Sequence, residues 1–188
     1  LVQNSGADVF LDLKLHDIPT TVGKASGVIA ERGVFMFNVH ALGGLQMMSE
    51  ARKAVDRKSG KGGKPLLVAV TVLTSLNETE LFKELGVGRS LKDEVLALAQ
   101  LAKKAGLDGV VCSPQEIELL RASLGKDFLL VTPGIRPKGS DKNDQQRSLT
   151  PAEAIRLGAS YLVVGRPVTA SSNPRQVVQN FFKDAAAL

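Results

Sequence analysis

Three charged residues, Asp12, Lys14 and Asp17, fall within six positions of one another at the end of an apolar run. Asp12 and Lys14 are two apart, so on a regular strand both point to the same face. An ammonium between two carboxylates is favoured in its charged form. Such a group can meet a developing carbanion electrostatically and then hand it a proton. A carboxylate beside it would disfavour a substrate carboxylate in the ground state. The same spacing also suits an ion-pair cluster capping a strand, and spacing alone leaves both readings open.

Two later turns carry arginines. Thr132-Pro-Gly-Ile-Arg136-Pro follows one apolar run, and Val163-Val-Gly165-Arg166-Pro-Val-Thr169 follows another. Glycine lets the backbone approach an anion closely, and the guanidinium fork matches phosphate oxygens. One such turn is weak evidence. Two at equivalent strand ends point to a phosphate grip, in the place where barrel enzymes build one. Between them, Lys138–Ser148 is polar and contains glycine. It reads either as a surface loop or as a lid that closes Gln145 over a bound anion.

The elements that must position these residues alternate. Strands are expected at Ala7–Leu13, Val34–His40, Pro65–Leu73, Gly109–Cys112, Phe128–Thr132 and Tyr161–Val164. Helices are expected at Thr20–Arg32, Gly43–Val55, Asn77–Leu85, Leu91–Ala105, Pro114–Leu124, Thr150–Leu157 and Pro174–Ala187. Thr150-Pro-Ala-Glu153 has the cap, first-turn proline and third-position Glu of a helix start. The strands are continuous apolar runs, which argues for burial on both faces and parallel pairing. Strict βα alternation leaves a doubly wound sheet or a (β/α)8 barrel. There is no Gly-x-Gly-x-x-Gly after a strand and no Walker loop. Polar residues gather at the strand ends (Lys14, His40, Thr74, Arg136, Arg166), which favours the barrel. Six strands are two short of closure, and the chain begins at Leu1 without Met. The expectation is one barrel domain over 1–188, with its first one or two βα units preceding this sequence.

Composition bounds the partners. The net charge is +5, and much of the excess lies in Lys53–Lys64, which reads as a mobile loop. A basic chain can serve nucleic acid, a membrane or a small anion. Aromatics are only 4% with no Trp, so base-stacking platforms are not expected. No apolar run reaches the ~20 residues of a membrane span, and no signal peptide opens the chain. The one cysteine, Cys112, lies in an apolar run and reads as a buried structural residue. With no internal disulfide possible, a reducing compartment and a cytoplasmic location are expected.

Taken in order, these segments resemble a known family. Phe10-Leu-Asp12-Leu-Lys14-Leu-His-Asp17-Ile-Pro19 resembles the signature of orotidine 5′-monophosphate decarboxylases. The likeness continues through Asn38-Val-His40-Ala, Val70-Thr-Val-Leu-Thr74-Ser, Asp108-Gly-Val-Val-Cys-Ser, the Arg136 turn, Asp144-Gln145 and the Gly165-Arg166 turn. It implies a (β/α)8 barrel that converts orotidine 5′-monophosphate to uridine 5′-monophosphate and carbon dioxide in pyrimidine biosynthesis. It implies no metal and no organic cofactor. Lys14 would be the proton donor to C6, and Asp12 the carboxylate beside the leaving group. Asp17 would cross a homodimer interface into the partner's site. Ile18, Pro19, Thr20, Thr21, Thr74, Arg136, Gln145, Gly165 and Arg166 would bind the substrate. A second Lys and a ribose-holding Asp would lie upstream of the signature. The competing readings are a magnesium-dependent sugar-phosphate decarboxylase or aldolase barrel, with Asp12 on the metal, and a non-catalytic nucleotide-binding barrel fragment. Nucleic-acid binding is a distant third.

Overall fold

The computed structural model describes residues 5–58, 63–136 and 149–186. Its strands are β1 (Phe10–Leu15), β2 (Met36–His40), β3 (Leu66–Val70), β4 (Gly109–Val111), β5 (Leu129–Thr132) and β6 (Tyr161–Leu162). Its helices are α1 (Pro19–Glu31), α2 (Gly44–Lys58), α3 (Glu78–Lys83), α4 (Leu91–Lys104), α5 (Ile117–Leu124), α6 (Pro151–Leu157), α7 (Arg166–Thr169) and α8 (Pro174–Ala186). The strands pair in chain order, β1 to β6. The chain divides into two compact units, Leu1–Val72 with Asp93–Val110, and Leu73–Lys92 with Val111–Leu188.

In the first unit, β2 and β3 pair in parallel from Met36↔Leu66 to His40↔Val70. Phe37, Val39, Leu67, Val68 and Ala69 are wholly buried. Continuous apolar runs thus become strands covered on both faces, as parallel strands must be. Helix α1 packs against α2 with Gly23 and Gly27 on the shared face. A Cβ at Gly23 would stand 3.5 Å from the Glu50 carbonyl oxygen. The buried Arg52 guanidinium on α2 donates to Asp56 and Asp108 at 3.0 Å each. Asp108 also accepts the Leu67 backbone N–H at 2.7 Å. One paired charge therefore ties α2 to the starts of β3 and β4.

In the second unit, β5 and β6 pair in parallel through Val131↔Tyr161 and Thr132↔Leu162. Arg121 on α5 gathers the chain around them. Its guanidinium donates to the carbonyls of Gly158, Gly125, Lys126 and Phe128 and to the Ser160 hydroxyl. Ser160 in turn accepts the Leu130 N–H at 3.1 Å. Helix α6 opens with the Thr150–Glu153 capping box expected from its sequence. Asp184 of α8 accepts the Ala152 N–H at 3.2 Å and docks α8 on α6.

Several boundaries differ from expectation. β1 starts later, at Phe10, and runs on to Leu15. α2 continues to Lys58, so the first half of Lys53–Lys64 is helix rather than loop; Lys53 pairs with Glu50 and Lys58 with Glu31. Pro114–Leu124 is a short 3-10 turn followed by α5. β6 ends at Leu162, and the arginine turn after it contains α7, four residues long.

Candidate active site

The charge cluster stands on an irregular strand. β1 and β2 match Phe10↔Met36 and Leu11↔Phe37, then Leu15↔Val39. Residues 12–14 of β1 therefore face the single residue Asn38. Lys14 takes up the excess with a φ of 50°. Left-handed backbone is uncommon for a side chain of this kind. It collects at functional sites, where the surroundings must hold it.

Asn38 is 1% exposed and bridges the bulge. Its Oδ1 accepts the Lys14 backbone N–H at 2.7 Å, and its Nδ2 donates to Asp12 Oδ1 at 2.6 Å. Lys14 Nζ then donates to Asp12 Oδ1 and Oδ2, at 2.7 and 2.8 Å. The two charges meet, as their spacing suggested, but not through simple alternation along a strand. The bulge and Asn38 bring them together. Both side chains are about half exposed, so solvent screens the pair and its value to stability is small.

Asp17 stands apart from this pair. Its Oδ1 accepts the Ile18 N–H at 2.6 Å, immediately before α1, and no ion pair joins it to Lys14 among the described residues. Ile18 is the N-cap of α1, Pro19 occupies its first turn, and Thr20 and Thr21 are exposed beside it. His16 and His40 complete the neighbourhood, with ring centroids 5.4 Å apart and tilted by 36°.

Partial burial pushes the Asp12 carboxyl up. Hydrogen bonds from Lys14 and Asn38, with the Lys14 charge, outweigh it and hold the group below the usual carboxylate range. Burial pushes the His40 imidazole down, and the His16 and Lys14 charges add to that against the opposing pull of Asp12. Both groups bind protons more weakly folded than unfolded, so each adds stability that grows with pH. The His40 part is present above its ordinary value of 6.5 and is lost as pH falls from there through the folded value. The Asp12 part is lost lower, from 3.8 downward. The melting temperature should therefore begin to fall below pH 6.5, and His40→Asn should flatten that first decline. Identical pH profiles for the two proteins would refute the assignment.

The second unit holds the other expected binding residues. Thr74 is exposed just after β3. Arg136 follows β5, is 9% exposed, and donates its backbone N–H to the Leu149 carbonyl at 3.0 Å. Arg166 is exposed and opens α7, with Gly165 as N-cap; a Cβ at Gly165 would meet nothing within 4 Å. Gln145 and the Lys138–Ser148 segment lie outside the described residues. Cys112 is buried, and burial with the nearby Glu116 charge pushes its thiol up to about 12, far from a nucleophile's range. Among the described residues no three His, Cys, Asp or Glu side chains are grouped to hold a metal, and no helix is long and apolar enough to cross a membrane.

Sequence reading missed the part played by Asn38. The signal was present, a lone amide inside the buried run Met36–His40, but its partners depend on the register across β1.

Parallel strands alternating with helices in chain order place the fold in the (β/α) barrel class, whose members carry their sites at the carboxyl ends of the strands. Comparison with known proteins narrows this. Residues 1–181 match the orotidine 5′-phosphate decarboxylase / HUMPS family, and the chain belongs to that family. It is 57% identical over 178 residues to the orotidine 5′-phosphate decarboxylase of Pseudoalteromonas translucida, covering 95% of this chain and 75% of that protein. It is 55% identical over 173 residues to the enzyme of that name from Pasteurella multocida, covering 92% and 73%. The crystal structure of orotidine 5′-phosphate decarboxylase from Lactobacillus acidophilus superposes with a TM-score of 0.87 at 40% identity, over 98% of this chain and 78% of that one.

Proposed function

We propose that this chain decarboxylates orotidine 5′-monophosphate to uridine 5′-monophosphate and carbon dioxide, as a step of pyrimidine biosynthesis. The observation that carries the reading is the Asp12–Lys14 pair, clamped at the end of β1 by Asn38. Family membership over nearly the whole chain supports it.

In this reading the bond from C6 to the carboxyl group breaks and its electron pair stays on C6. The Lys14 ammonium stabilises that charge and then protonates C6, while carbon dioxide departs beside Asp12. Lys14 regains its proton from solvent. Asp12 also keeps Lys14 oriented. Arg136, Gly165, Arg166 and Gln145 hold the phosphate end, and Ile18, Pro19, Thr20, Thr21 and Thr74 line the remainder. Asp17 serves the site of a second copy, in an isologous homodimer. Its position at the surface, away from Lys14, suits that role. The chemistry requires no metal and no organic cofactor. The 1–188 segment belongs to one barrel domain in the cytoplasm, without the first one or two βα units of that barrel; a family match that runs through both compact units supports this.

The test is turnover of orotidine 5′-monophosphate in excess chelator, followed by loss of substrate absorbance. Undiminished turnover is expected. No turnover under any condition would sink the reading. Activity that returns only with magnesium would favour a metal-dependent sugar-phosphate enzyme, with Asp12 as a ligand.

A further inference from the structure

β2 is a buried strand, and its central position is held by an amide. Its neighbours Phe37 and Val39 are 0% exposed, and an apolar residue would suit this place in a parallel sheet. A buried amide is costly unless paired. Asn38 is paired, but with nothing in the core. Both side-chain hydrogen bonds run to the β1 bulge, to the Lys14 N–H and the Asp12 carboxylate.

We propose that Asn38 is the positioning residue of the charge pair: one carboxamide holds the left-handed backbone of Lys14 and the Asp12 carboxylate that faces the Lys14 ammonium. The register explains why a side chain is needed. Three residues of β1 face one of β2, so the ladder hydrogen bonds cannot continue at Lys14. Asn38 Oδ1 substitutes for the missing backbone acceptor. With Oδ1 committed to an N–H, the amide must turn its NH2 toward Asp12, where it meets an acceptor. The contacts close a ring: Asn38 to Asp12, Asp12 to the Lys14 ammonium, and the Lys14 backbone back to Asn38. Asn supplies an acceptor and a donor a few ångströms apart. Asp would supply two acceptors and a second negative charge, and Leu neither.

The kinetic arm of the test rests on the decarboxylase reading above. Asn38→Ala should lower kcat for orotidine 5′-monophosphate about tenfold, the loss of one charge-assisted hydrogen bond, and leave KM within about twofold. Asn38→Asp should lose activity at neutral pH. It should recover part of it as pH falls, because a protonated Asp is shaped like Asn and restores the donor to Asp12. A structural role alone would lower the melting temperature without that recovery. The second arm needs no turnover: the Asp12 carboxyl, followed by ¹³C NMR, should titrate higher in both variants than in the parent. If Asn38→Ala does not fold, the acid recovery and titration of Asn38→Asp decide. An unchanged kcat per folded site, a loss confined to KM, or an unmoved Asp12 titration would overturn the proposal. A parent protein inactive on orotidine 5′-monophosphate whose Asp12 titration still shifts would sink the decarboxylase reading and leave the positioning role standing.

Discussion

Lys14→Ala is expected to lower kcat for orotidine 5′-monophosphate decarboxylation by about 10⁴-fold or more, combining lost proton donation with lost charge stabilisation. Uridine 5′-monophosphate should bind with an affinity within a few-fold of the parent's, because the phosphate contacts are assigned to other residues. Two comparisons separate the causes. Lys14→Arg keeps a positive charge beside Asp12, but a guanidinium does not release its proton in this pH range. If proton delivery dominates, it should be nearly as inactive as the Ala variant. Lys14→Asn removes the charge and keeps a residue type that tolerates left-handed backbone better than Ala does. It should fold more stably than Lys14→Ala and be equally inactive, which separates backbone conformation from chemistry. Absorbance assays give the rates, and calorimetric titration gives the nucleotide affinity. Turnover of Lys14→Ala within tenfold of the parent would remove Lys14 from the role of proton donor.

The difference between what the sequence and the structure reveal lies in register. The apolar run expected as a strand over Pro65–Leu73 and the capping signature at Thr150 depend only on neighbours along the chain, so both elements are legible in residue types, although the strand itself spans only Leu66–Val70. The charge pair was found by spacing, yet the assumed geometry was a regular strand. A positive φ at Lys14 has no sequence signature, because Lys is not a residue that seeks it. What permits it is a side chain 24 positions later, and the pairing of β1 with β2 decides which side chain that is. β6 was read too long for a similar reason. Its apolar run continues past Leu162, but pairing ends there apart from the Val163 N–H to the Thr132 carbonyl. α7 is too short for helical periodicity to be visible at all.

The second large effect falls at the other end of the ligand. Arg166→Ala is expected to weaken uridine 5′-monophosphate binding by about 100-fold, the cost of about one charged, bidentate hydrogen-bonding group. Uridine itself should bind almost unchanged. The backbone hydrogen bonds of the turn run between main-chain groups. The Val168 and Thr169 N–H groups both return to the Gly165 carbonyl, at 2.9 and 3.1 Å, and Pro167 restrains the first turn of α7. Arg166→Lys should recover only part of the affinity, since an ammonium restores charge but not the planar fork. Added salt should weaken the parent's binding of the nucleotide more than that of the Ala variant. The loss should appear mainly in KM, because the phosphate is remote from the bond that breaks. Some loss in kcat is expected too, as far as remote binding energy orients the ring over Lys14. Equal losses for uridine and its monophosphate would show that Arg166 supports the loop rather than the phosphate, and the anion grip would then have to rest on Arg136, Gly165 and Gln145.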